Sequence, residues 1–108
     1  MAQNITDIVS PLVENGMFEN AETAVKNLML DFILHQIHEY EVKIKKFEKK
    51  YKMNYYHFNL YLNERAKNVV SDKSLHRSFM REEEDALDWK IATEMLESWL
   101  GLKKKSQI

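Results

Sequence analysis

The sequence predicts an all-α protein, and three observations lead to that expectation. Only two Gly and one Pro occur in 108 residues, fewer than the turns of a hairpin-rich β protein of this length would need. Two long stretches keep their apolar residues three and four apart, the helical period. The hydrophobic fraction is 44%, with five Phe, five Tyr and two Trp, enough to build a core and unlike the composition of disordered tails. The predicted architecture is two long antiparallel helices, about 21–51 and 72–100, with a short N-terminal helix and a short connecting helix. They form a single domain over 1–108, assembled as a dimeric helical bundle, with a disordered lysine-rich tail at 101–108.

Each element has its own signals. In the first, Ile5, Ile8, Val9, Leu12 and Val13 share one side. Pro11 is tolerated only near a helix start, so this helix is expected to begin at Thr6 or Asp7, or to restart at Ser10 with Pro11 in its first position. Gly16 supplies a left-handed stop, and Asn20 caps the next helix with Glu22 in its first turn. There Leu30, Ile33, Ile37, Tyr40, Ile44, Phe47 and Tyr51 keep an unbroken 3,4 alternation, the pattern of knobs-into-holes packing, while Val25, Met29 and Phe32 add a second apolar face. Such a helix is about 45 Å long and needs an equally long neighbour.

The last helix is that neighbour. Ser71 is the expected N-cap, with Val70 and Leu75 as a hydrophobic staple. Leu75, Phe79, Glu82, Ala86, Trp89, Thr93, Leu96 and Leu100 repeat the alternation with two polar positions, and Leu87, Ile91, Met95 and Trp99 form a second stripe. Gly101 is the expected stop. Between the long helices, Asn54 caps a short helix whose buried side is Phe58, Tyr61 and Leu62.

Charge is balanced overall, with a formal net charge of −1, but not locally. Residues 43–52 hold six Lys against Glu48, and residues 82–97 hold seven acids against Lys90. In an antiparallel hairpin these blocks meet, bringing Lys46 and Lys50 near the acids at 82–85. Exposed pairs of this kind contribute about 0.2–1 kcal/mol each and select register more than they stabilise.

The absence of Cys excludes disulfides, thiolate nucleophiles and thiolate metal sites, and fits a reducing compartment. Residues 1–8 carry no signal-peptide pattern, and no apolar run approaches the roughly 20 residues of a membrane span, so a cytoplasmic protein without membrane contact is expected. His35, His38 and Glu39 lack the order of zinc-protease ligands. No metal or other cofactor is expected, and no enzyme, because no acid, base and nucleophile converge.

Two binding readings follow. The 43–56 segment interleaves cations and rings, as single-stranded nucleic-acid binding requires, with Lys46, Lys49, Lys50, Tyr55 and Tyr56 as the candidate contacts. The heptad assigns Phe47 and Tyr51 to a buried seam, which favours the other reading, protein–protein interaction. There Trp89, Leu96 and Trp99, flanked by Glu82, Asp85 and Asp88, form the candidate partner surface, since aromatic residues anchor interfaces. A purely structural homodimeric bundle is a third possibility.

A resemblance sharpens the second reading. In residues 12–32, LVENGMFENAETAVKNLMLDF, Gly16, Phe18, Asn20, Ala24 and Val25 match a short-helix–turn–long-helix pattern of small prokaryotic antitoxins. Residues 39–58, EYEVKIKKFEKKYKMNYYHF, are similar to a segment of helical proteins from cyanobacteria and archaea that look like TumA-type antitoxins, partners of TumE-type toxins. In DALDWKIATEMLESWL, Asp85, Trp89, Ala92, Leu96 and Trp99 resemble their acidic tail. The resemblance implies that the chain binds and neutralises a small cognate toxin, a basic protein that acidic side chains would steer. Lys52 stands where that pattern tends to Gly. Residues 1–5 contain no Lys or Arg, which argues against an operator-reading ribbon.

Overall fold

A computed structural model describes residues 4–67 and 73–106, the side chains of residues 73–75 excepted, and among them the protein is all-α. The elements are α1 (Ile5–Glu14), α2 (Ala21–Tyr51), α3 (Tyr55–Ala66) and α4 (Lys73–Ser106). The expected Ser71 cap and its Val70–Leu75 staple lie outside the described residues.

Three helices start on an asparagine. Asn4, Asn20 and Asn54 each hold extended backbone angles, and each Oδ1 accepts the N–H three residues on: Asp7 at 2.9 Å, Thr23 at 2.8 Å and His57 at 2.8 Å. A side-chain oxygen in that place satisfies one of the donors that a helix start leaves open. The Asn4 cap moves the start of α1 ahead of the expected Thr6, Asp7 or Ser10 and leaves Pro11 inside the helix. Pro11 has no N–H for the Asp7 carbonyl; the Ser10 hydroxyl donates to that carbonyl instead, at 3.5 Å.

The exit from α1 follows the glycine rule. Gly16 adopts φ +77°, its N–H bonds to Val13 O at 3.0 Å, and the Met17 N–H reaches back to Leu12 O at 3.0 Å. This pair of bonds is the Schellman closure, in which a left-handed residue folds the chain back over the last carbonyls.

Helix α2 stops at Lys52, which takes the same left-handed region at φ 56° without being glycine. A Cβ there costs of order 1–2 kcal/mol, partly offset by the smaller backbone entropy that Lys loses relative to Gly on folding. Lys52→Gly is therefore expected to stabilise the protein by about 0.5 kcal/mol, read as a small rise in the urea midpoint. A lower midpoint would show that the Lys52 side chain contributes something its exposed position does not suggest.

Helices α2 and α4 pack along their lengths as an antiparallel hairpin. Phe47 lies against Trp89, while the earlier Phe32 meets the later Trp99. Every member of the α2 alternation from Leu30 to Tyr51 is buried or half-buried. In α4, Phe79, Glu82, Ala86, Trp89, Thr93 and Leu96 follow suit, whereas Leu100 is exposed. The two polar seam residues have partners: the Thr93 hydroxyl donates to Trp89 O at 2.9 Å, and Glu82 pairs with Arg65 at 2.8 Å.

The expected end of α4 at 100 is corrected, and so is the disordered tail as far as Ser106; residues 107–108 lie outside the described residues. The helix passes through Gly101, which keeps a helical backbone, and continues to Ser106. Glycine permits a stop but imposes none. The extra turn lies beside the start of α2, where Lys105 and Ser106 share a groove with Lys26, Asn27, Met29 and Leu30. Lys103, Lys104 and Lys105 occupy the last turn, where cations meet the negative end of the helix dipole.

Helix α3 folds back onto α4 and α1 onto α2. The main core forms where α3 meets the hairpin, from Phe58, Leu62, Ala86 and Trp89 backed by Ile44, Phe47, Tyr51, Met53, Tyr55 and Phe79. At the other end, Val9 and Ala24 are buried, but Ile5 and Ile8 of the expected apolar side of α1 face out. The molecule measures 67 × 31 × 19 Å with a radius of gyration of 21.5 Å, against about 13 Å for a compact chain of this length.

Candidate functional site

Each candidate residue can be placed on this frame, beginning with the tryptophans. Trp89 is a core residue, 1% exposed, with ring centroids of Phe58 at 5.3 Å, Phe47 at 5.5 Å, Tyr55 at 5.7 Å and Tyr51 at 6.4 Å. This corrects its assignment as a partner anchor: four aromatic rings enclose the indole within its own chain. Leu96 is half-buried on the same seam. Trp99 differs, being half-buried at the far end with one ring neighbour, Phe32, edge-on at 5.7 Å.

The acidic flank divides in the same way. Glu82 Oε1 accepts from Arg65 Nη1 at 2.8 Å and from the Tyr61 hydroxyl at 3.2 Å. Arg65 Nη1 also donates to the Tyr61 oxygen at 2.6 Å. Tyr61, expected on the buried side of α3, is thus drawn to the surface by its hydroxyl. Asp85 Oδ2 accepts from Lys50 Nζ at 2.6 Å and, at shorter range, from the Tyr51 hydroxyl. Burial works to raise the Asp85 pKa, but the hydrogen bonds from Lys50 and Tyr51 and the Lys50 charge outweigh it and hold the carboxyl below its ordinary range. Tyr51 is pushed up, first by burial and then by its bond to that carboxylate.

Glu82 and Asp85 are therefore internal ties between α4 and its neighbours, which corrects their role as partner-facing acids. Asp88 remains exposed, as do Glu83, Glu84, Glu94 and Glu97.

The candidate nucleic-acid contacts are dispersed. Tyr55 is half-buried against Trp89, a correction to its expected exposure, while Tyr56 stands out with only His57 beside its ring. Lys50 is committed to Asp85. Lys46 is exposed but does not reach the acids at 82–85; it lines a groove between α2 and α4 on the side of Asp88. Lys49 is exposed. His35 and Glu39 face each other along α2 at 3.8 Å, both solvated.

An apolar strip along one side of the hairpin is a feature that the sequence reading does not single out as a site. Leu28, Met29 and Phe32 lie three and four residues apart on α2, where helical neighbours meet, and all are exposed, Phe32 at 57%. Phe32 contacts Trp99, whose helical neighbours are Met95 and Leu102. Met95 leads to Ile91, and Ile91 to Leu87, at the same spacing. Ile91 also lines the groove of about 420 Å³ floored by Tyr40, Phe47 and Ala92 and rimmed by Lys43, Lys46, Lys50 and Asp88. The second apolar faces of α2 and α4 were legible in the sequence, as was an excess of apolar surface over what one hairpin partner covers; which of these residues stay exposed was not, because spacing does not show where α1 and α3 pack.

The chain matches no family model, no curated protein and no solved structure. Among the described residues, no helix is long and apolar enough to cross a membrane.

Proposed function

We propose that the protein is a non-enzymatic interaction module that binds a small basic protein and acts as an antitoxin-like neutraliser of it. The observation that supports this reading is the uncovered end of the hairpin, where Leu28, Met29, Phe32, Trp99 and Leu102 present apolar and aromatic surface. Isolated exposed apolar side chains are ordinary, but a contiguous set rimmed by charge is characteristic of a binding surface. The rim is acidic on the outer face of α4, through Glu94 and Glu97, and acids around an apolar anchor steer a cationic partner and raise its association rate. The anchors are Trp99 and Phe32, with Trp89 supporting the fold behind them. That the partner is a toxin rests on the resemblance of residues 12–32 to small prokaryotic antitoxins and of residues 39–58 and 85–100 to TumA-type ones.

The reading is tested by co-expression with the product of the adjacent gene, following co-purification and growth of the host together. A stable complex that restores growth arrested by the neighbour alone is the expected result. Absence of a complex, or a neighbour without effect on growth, would overturn the antitoxin reading.

A further inference from the structure

We infer that the groove between α2 and α4 is occupied by α4 of a second copy of this chain, giving a two-fold four-helix bundle in which an acidic helix is flanked by two basic ones. Area is the first argument. The chain exposes 8614 Å², whereas a compact monomer of 12.9 kDa exposes about 6,300 Å². The excess, roughly 2,300 Å², is well above the ~800 Å² that each partner contributes to a standard interface.

Charge is the second argument. The rim of the groove carries Lys43, Lys46 and Lys50; Lys50 is tied to Asp85, whereas Lys43, resting over the Tyr40 ring at 5.2 Å, and Lys46 have no carboxylate partner among the described residues. On α4, Glu84 and Asp88 are exposed and, among the described residues, unpaired; they lie one turn apart, beside Leu87 and Ile91, which are 57% and 47% exposed. The groove thus has an apolar floor and a rim that is cationic along α2, with Asp88 on its α4 side, and α4 has an apolar ridge with an acidic edge. A surface that carries both halves of a complementary pair is suited to an isologous contact, in which each copy supplies ridge and groove once. This contact is central, away from the end of the hairpin assigned to the basic partner, so dimerisation and partner binding fail independently.

Light scattering during size exclusion at micromolar concentration and low salt tests the proposal. Wild-type protein is expected at twice 12.9 kDa. Ile91→Glu is expected to weaken the dimer by a factor of at least about thirty at unchanged helicity by circular dichroism. Should that variant lose helicity, Leu87→Glu, at a more exposed position, replaces it. The paired variants Lys43→Glu with Lys46→Glu, and Glu84→Lys with Asp88→Lys, are each expected to run as monomers alone and to associate when mixed. A wild-type mass of a single chain, a dimer unaffected by either apolar substitution, or charge-reversed chains that do not associate on mixing would overturn it.

Discussion

Trp89→Ala is expected to remove about 3–5 kcal/mol of stability, the range for deleting a fully buried large aromatic side chain. Phe47, Tyr51, Tyr55 and Phe58 all pack on the indole, so one substitution opens a cavity at the junction of three helices. Aromatic pairs of this geometry add about 0.5–1.5 kcal/mol each beyond area burial, which places the cost in the upper half of that range. For a domain whose total stability is on the order of 5–15 kcal/mol, that loss is a large fraction of the whole. Urea denaturation followed by circular dichroism measures it. Trp99→Ala, which removes one ring contact from a half-buried position, is expected to cost only about 1–2 kcal/mol. Equal costs for the two substitutions would contradict the division between core and surface tryptophan.

That division was already present in the pattern of the sequence. Trp89 falls on the seam alternation of the last helix and Trp99 on its second stripe, but both sit among acids, and composition alone suggests a partner-facing role for either. What separates them is the aromatic content of the segments opposite: Phe47, Tyr51, Tyr55 and Phe58 converge on one point only once α3 is folded back. The starts of α2 and α3 were legible because each rests on an Asn whose effect is local, and the Gly16 turn was legible for the same reason; the Asn4 start of α1 was not, because Pro11 pointed to a later one. The end of α4 was not, since Gly101 carries a local preference that a neighbouring helix overrides. The pairing of charge blocks was foreseen for Lys50 and Asp85, whose register follows from the hairpin. It was not foreseen for Arg65 and Glu82, because the direction of α3 relative to α4 leaves no trace in sequence spacing.

Arg65→Ala is expected to destabilise the protein, because it leaves Glu82 on the helical seam without its cation. The side chains are 20% and 13% exposed, sheltered enough that water replaces the lost guanidinium poorly. Among the described residues Glu82 Oε2 has no hydrogen-bond partner, and it is shielded from solvent, so the carboxylate depends on what Oε1 receives. Removing both charges has a different outcome. Arg65→Met combined with Glu82→Leu is expected to lie within about 1 kcal/mol of wild type or above it, since apolar groups of similar volume often match a sheltered ion pair. The double-mutant cycle by urea denaturation reads the difference. Additive costs would show that the pair is solvated and contributes register alone.

The central claim is that the protein works through the uncovered end of its hairpin, with Phe32 and Trp99 as anchors. Phe32→Asp tests it most directly, because this side chain is more than half exposed and its replacement leaves the Trp89 core untouched. Affinity for the proposed partner, the product of the adjacent gene, would be measured by titration calorimetry, with helicity and melting temperature recorded on the same sample. The account predicts a loss of affinity of about a hundredfold at an unchanged fold. Undiminished affinity in a folded Phe32→Asp protein would contradict it.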